Sequence, residues 1–195
     1  MNKWTCYLIV FILILACNNR KKEIKDTSGY FPVRSFLQSQ VSELDSSLYR
    51  FIKIETKNGV SDTTDITRDE ATRFASEFLE IPDITNPQLG SDYSEMSSFD
   101  SIMDRVIMSY TAYDKKDIEV VKQDVTVLPS FGNGEDEVKT IYLEKIKSDE
   151  DSMTEKKMLW EIDRYFQIRT ISQHKDLPEQ IHDLRIEWNA SQWDN

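Results

Sequence analysis

The sequence predicts an α+β fold: an antiparallel sheet, made of an N-terminal hairpin and a four- or five-strand meander, packed by two helices. Three observations carry that expectation. Leu37, Val41, Leu44 and Leu48 recur at helical spacing, and a second such run, Ala71, Phe74, Ala75 and Phe78, follows the tetrad Thr67-Arg68-Asp69-Glu70. Asn58-Gly59 separates two stretches rich in β-branched and aromatic residues, the composition of a tight hairpin. From Arg105 onward the chain alternates apolar and polar residues between polar turns.

Residues 1–16 come before any of this. Lys3 precedes an apolar run, Leu8 to Leu15, that ends at the small residue Ala16, the plan of a secretion signal. A bilayer core asks for about 20 apolar residues, and this run is interrupted by Asn18, Asn19 and Arg20 before it reaches that length. Ile14-Leu15-Ala16-Cys17 resembles the lipobox of bacterial lipoproteins. The resemblance implies a diacylglycerol on the Cys17 thiol, cleavage before it, and a protein held to the cell envelope by its lipid. Asn18 stands where aspartate would retain such a protein at the inner membrane, so the expectation is the outer membrane, at its periplasmic face or at the cell surface.

Without its first 16 residues the chain has 179, enough for one well-cored domain. Cys6 leaves with the signal and Cys17 carries lipid, so no disulfide is expected and the fold depends on its core. The formal charge of −11 becomes −12 without Lys3; residues 18–29 carry +2, which leaves −14 for residues 30–195. That body repels phosphate backbones, and no basic stripe offsets it, which excludes a nucleic-acid partner and favours a basic or neutral one.

Residues 17–29 offer little to bury and read as a lipidated tether, its Arg20 to Lys22 cluster free to lie on anionic headgroups or in water. The domain is expected over 30–195. Helix one runs from about Pro32, suited to a first turn, to Ser46. Strands one and two flank residues 57–59, the second ending near Ile66. Thr67 and Glu70 form a capping box with Ile66 stapled on Ala71, and Ile81-Pro82 stops the second helix. Residues 82–104 show no sustained period and read as a long loop: a lid or binding loop, or a surface excursion with a short helix around Phe99 to Met103.

The meander is expected over 105–113, 117–128, 137–147, 157–171 and 183–189. Met158, Trp160, Ile162, Phe166, Ile168 and Thr170 share one parity, which predicts a single long strand with only Arg164 interrupting it. Leu184, Ile186 and Trp188 continue the alternation in a final edge strand. This order of elements over residues 33–171 resembles the NTF2-like, or cystatin-like, superfamily, which implies a curved sheet around a helix and a cone-shaped pocket. A half-barrel of the lipoprotein-carrier type is the alternative architecture.

Few side chains carry obvious chemistry. His174 and His182 are eight residues apart with Pro178 between them, so they cannot form a helical metal pair. Together with Asp176, Glu179 and Asp183 they either assemble a folded-back site or stand as solvated loop histidines. Hydrolase signatures are absent, Phe131-Gly132-Asn133-Gly134 reads as a hairpin turn, and Asp149-Glu150-Asp151 lacks the spacing of a calcium loop. No cofactor and no metal is expected. Trp188 and Trp193 occupy a polar C-terminus, where they either anchor a ligand or partner or fold back over a sheet edge. The expectation is a non-enzymatic envelope lipoprotein that binds a small apolar ligand or a protein partner. Its alternatives are an acidic inhibitor or immunity-type lipoprotein against a basic enzyme, and an enzyme on an NTF2-like cone.

Overall fold

The structure is a computed structural model and describes residue 27 and residues 29–114, 118–130, 132 and 134–188. The expected signal peptide, Cys17, tether residues 17–26 and Trp193 lie outside the described residues. The expected tether reaches too far at its C-terminal end, because Thr27 is already buried, its hydroxyl donating to the Thr85 carbonyl at 2.9 Å. Gly90 makes room for it: a Cβ there would lie 2.7 Å from the Thr27 methyl and 2.0 Å from the Ile84 carbonyl oxygen.

Helix α1 (Val33–Ser46) starts after Pro32 and buries Val33, Leu37, Val41 and Leu44. Ser47 is extended and turns the chain outward, so Leu48, expected on the apolar face, is 98% exposed. Strands β1 (Phe51–Lys57) and β2 (Val60–Ile66) are joined through Asn58 at φ +48° and Gly59 at φ +85°, the two positive angles a tight hairpin needs. Helix α2 (Arg68–Ala75) opens with the expected capping box: Thr67 Oγ1 accepts from the Glu70 amide at 3.2 Å, and Glu70 Oε2 from the Thr67 amide at 2.9 Å. A 3₁₀ turn, Ser76–Leu79, continues it to Ile81-Pro82. Among the described residues no helix is long and apolar enough to cross a membrane.

The remaining elements are a one-turn helix α3 (Pro87–Gly90) and strands β3 (Tyr93–Asp100), β4 (Arg105–Ala112), β5 (Val120–Leu128), β6 (Glu137–Ser148), β7 (Ser152–Glu161), β8 (Tyr165–His174) and β9 (Gln180–Glu187). All nine strands form one open antiparallel sheet in the order β2-β1-β9-β8-β7-β6-β5-β4-β3. Seven consecutive strands make the meander where four or five were expected, and the first hairpin joins its far side by pairing β1 with β9.

The structure departs from three expectations about the strands. Residues 157–171 are two strands, since Asp163 takes φ +61° and turns the chain back so that Trp160 faces Phe166. The strand expected at 183–189 is internal, flanked by β1 and β8, and the edges are β2 and β3. Finally, the expected loop 82–104 contains a full edge strand, β3, and Phe99 belongs to that strand rather than to a short helix. An edge strand pairs on one side only and leaves most of its side chains in water, so it needs no apolar alternation.

The helices cover one face of the sheet. On that inner face Trp160, Phe166, Ile141, Leu143, Met158 and Ile186 are fully buried with Phe78 and Leu37 from above. Phe78 meets Trp160 edge-on at 5.2 Å, and Trp188 adds its ring 5.8 Å from that of Trp160. Under the helices, then, the space a cone-shaped pocket would occupy is filled by side chains.

Candidate functional site

Beyond the helices the inner face turns polar. Register puts Lys53, Glu55 and Lys57 of β1 beside His182 of β9, Thr170 of β8 and Lys156 of β7, on the same side as Leu184 and Ile186. Glu55 is the centre of this ledge. Its Oε1 lies 2.8 Å from Lys57 Nζ and 2.8 Å from His182 Nε2, and its Oε2 lies 3.3 Å from Lys53 Nζ. The Lys57 hydrogen bond, with further help from His182 and Lys53, outweighs partial burial and brings the Glu55 carboxyl down to about 2. A carboxylate already paired with three donors is an ion-pair hub and a poor general base.

His174 is elsewhere. It ends β8 opposite Ser152, four residues beyond the Thr170 that pairs with His182, and it lies exposed beside the turn 148–152. Asp149 holds that turn: its carboxylate accepts from the Ser152 hydroxyl and from the amides of Asp151 and Ser152, which keeps its pKa below the usual carboxylate range. The structure therefore does not bring the two histidines together. Among the described residues no three His, Cys, Asp or Glu side chains are grouped to hold a metal ion. Trp188 is buried against Trp160 and Phe166, and so presents no exposed ring to a ligand or partner.

Lysines on the inner face went unnoticed in the sequence. Lys145 of β6 is almost buried, its Nζ 3.4 Å from Glu80 and 3.6 Å from Glu119, while Lys156 pairs with Glu77 at 2.5 Å. They tie the 3₁₀ turn to the sheet. Near Lys145 opens a cleft of about 340 Å³ lined by Pro82, Leu89, Tyr93 and Val120 and by the acidic Glu80, Asp92 and Glu119. Burial raises the Tyr93 hydroxyl to about 12, so it stays protonated and donates to the Val120 carbonyl at 2.7 Å.

Several exposed apolar side chains follow one another along the hairpin of β3 and β4. Met96, Phe99, Ile102 and Met103 all project into solvent there, Ile102 being 94% exposed. Asp100 shapes the tip by accepting from the amides of Ile102 and Met103 at 2.9 and 3.1 Å. This site was not legible as such, because it falls within the stretch that shows no period; the only signal was apolar residues at 96, 99, 102 and 103 in otherwise polar sequence. Comparison with known protein families, curated proteins and solved structures finds no match to this chain.

Proposed function

We propose that this is a non-enzymatic lipoprotein, held to the cell envelope through Cys17, whose surface binds a protein partner. The observation that carries the partner is the run of solvent-facing apolar side chains Met96, Phe99, Ile102 and Met103 along an edge hairpin. Four large apolar side chains exposed along one edge hairpin, Met96 and Phe99 on its opposite faces and Ile102 and Met103 at its tip, cost solubility and suit a contact surface. The packed inner face favours a partner over a small apolar ligand, because the aromatic cluster of Phe78, Trp160, Phe166 and Trp188 takes up the space such a ligand would need.

The anchor rests on the lipobox-like Ile14-Leu15-Ala16-Cys17, and Asn18 favours the outer membrane. An inhibitor or immunity role against a basic enzyme would use the same surface, and the −14 charge of residues 30–195 favours a basic partner.

Two measurements on the full chain in bacterial cells test the reading. With an alkyne fatty acid in the medium, the wild type should take up label and sediment with membranes, whereas Cys17→Ser should remain an unlabelled precursor. A photo-cross-linking amino acid placed at Ile102 should yield a discrete adduct that the same group at Thr63, on the opposite edge, does not. A labelled Cys17→Ser chain refutes the anchor, and equal cross-linking from both edges refutes the partner surface.

A further inference from the structure

We infer that β3 accepts an extended, lysine- or arginine-flanked segment of a protein as a tenth strand of the sheet. This rests on the partner-binding reading above and specifies its chemistry.

The Tyr113 amide donates to the Asp92 carbonyl at 2.9 Å, which sets the alternation along the β3–β4 pair. Ser94, Met96, Ser98 and Asp100 therefore direct their amides and carbonyls at β4, and Tyr93, Glu95, Ser97 and Phe99 direct theirs away from the sheet. Tyr30 takes one of these outward groups, its hydroxyl donating to the Tyr93 carbonyl at 3.2 Å. Beyond Tyr93 the row continues through Glu95, Ser97 and Phe99, and no strand lies past it among the described residues.

The two edges differ in protection. On β2 the outward amide of Thr63 is occupied by its neighbour, Asp62 Oδ1, at 2.9 Å. Neither edge strand has a proline, a lysine or a bulge, and the registers run unbroken over seven residues for β2 and eight for β3, so the covered Thr63 amide is what distinguishes β2. An edge like β3 pairs readily with another chain. Its side chains favour the same event: Phe99 on the inner side and Met96 on the outer are exposed and would flank an added strand.

Charge selects the occupant. Residues 74–104 hold seven carboxylates and no lysine or arginine; on the hairpin itself Glu95, Asp100 and Asp104 outnumber one cation, Arg105, which pairs opposite Asp100. A second copy of the chain would bring the same carboxylates against these, at a cost in repulsion. A segment with cationic residues around alternating apolar ones meets both the charge and the exposed Met96 and Phe99.

The test uses the full chain and a defined probe, a fluorescent heptapeptide Lys-Val-Thr-Val-Thr-Val-Lys, followed by fluorescence polarisation. Binding is expected, weakened at least tenfold from low to high salt, and lost when alternate peptide amides on the pairing side are N-methylated. The Glu-flanked counterpart should bind at least tenfold more weakly. Ser97→Pro removes an outward amide without touching the β4 ladder and should reduce binding at least tenfold. Ser97→Lys should do the same by charge, and retained circular dichroism shows that either variant is folded. Equal binding of the methylated or Glu-flanked peptide, or cross-linked homodimers through β3, overturns the inference. If the Ile102 adduct in cells persists while the peptide fails to bind, the partner surface stands and strand addition falls; loss of the adduct itself refutes the broader reading.

Discussion

Trp160 stacks on Phe166 directly across the β7–β8 hairpin, ring centroids 5.2 Å apart and planes 22° from parallel. Phe78 closes the stack from the 3₁₀ turn, edge-on to both rings. All three are fully buried, so truncation leaves a cavity that rigid neighbours cannot collapse. Phe166→Ala should destabilise by about 3–5 kcal/mol, and Phe166→Leu by about 1.5 kcal/mol or less, in urea unfolding followed by tryptophan fluorescence. A loss under about 1 kcal/mol for the alanine variant would place the core elsewhere.

That same pair explains what the sequence could not convey. Trp160 faces Phe166 and Met158 faces Ile168, so even-numbered residues pair with even-numbered ones. A hairpin in this register has the parity of one straight strand, and only the polar Asp163-Arg164 marks the turn. By contrast Asn58-Gly59 and Thr67 with Glu70 were legible because their chemistry is local. The β1–β9 pairing joins Glu55 to His182 across 127 residues, and nothing in local spacing encodes it. Edge strand β3 was missed because exposed strands need no apolar period, and with it went the surface that now carries the functional reading.

The capping box makes a quantitative claim about α2. Thr67→Ala removes the acceptor of the Glu70 amide and the hydroxyl that contacts the Glu70 carboxylate. It should cost about 1 kcal/mol of stability, measured as a lowered urea midpoint at unchanged slope. Thr67→Ser, which keeps the oxygen, should recover most of the loss.

Lys145 tests how much its ion pairs contribute. Its ammonium is buried, whereas Glu80 and Glu119 are mostly in water and can rehydrate if it is removed. Replacing a desolvated charge by an apolar chain of similar length is often neutral or stabilising. Lys145→Met should therefore change stability by no more than about 1 kcal/mol, while Lys145→Ala, which also deletes the packed stem, should cost about 2 kcal/mol. Equal losses in thermal melts of the two variants would show that the charge, not the stem, is what the fold requires.

Glu55 makes the fold acid-sensitive in a defined window. Lys57, above the other partners, holds its carboxyl at about 2, against 4.5 for a free glutamate. The unfolded chain therefore takes up this proton first as pH falls. The stabilisation from the ionised carboxylate is complete above about 4.5 and drains away toward 2. The group sits near the surface, which limits its contribution to about 1 kcal/mol. Glu55→Gln mimics the protonated form, leaving Lys53, Lys57 and His182 without their anion at every pH. In thermal melts the wild type should exceed this variant by a few degrees at pH 7, the gap narrowing below about 4.5 and closing near 2. Asp65 and Asp149, whose carboxyls are also held low, titrate in both proteins and cancel from the difference. A gap that persists unchanged at pH 2 would mean that the glutamine disturbs packing, and that the three-donor ledge does not stabilise the ionised side chain.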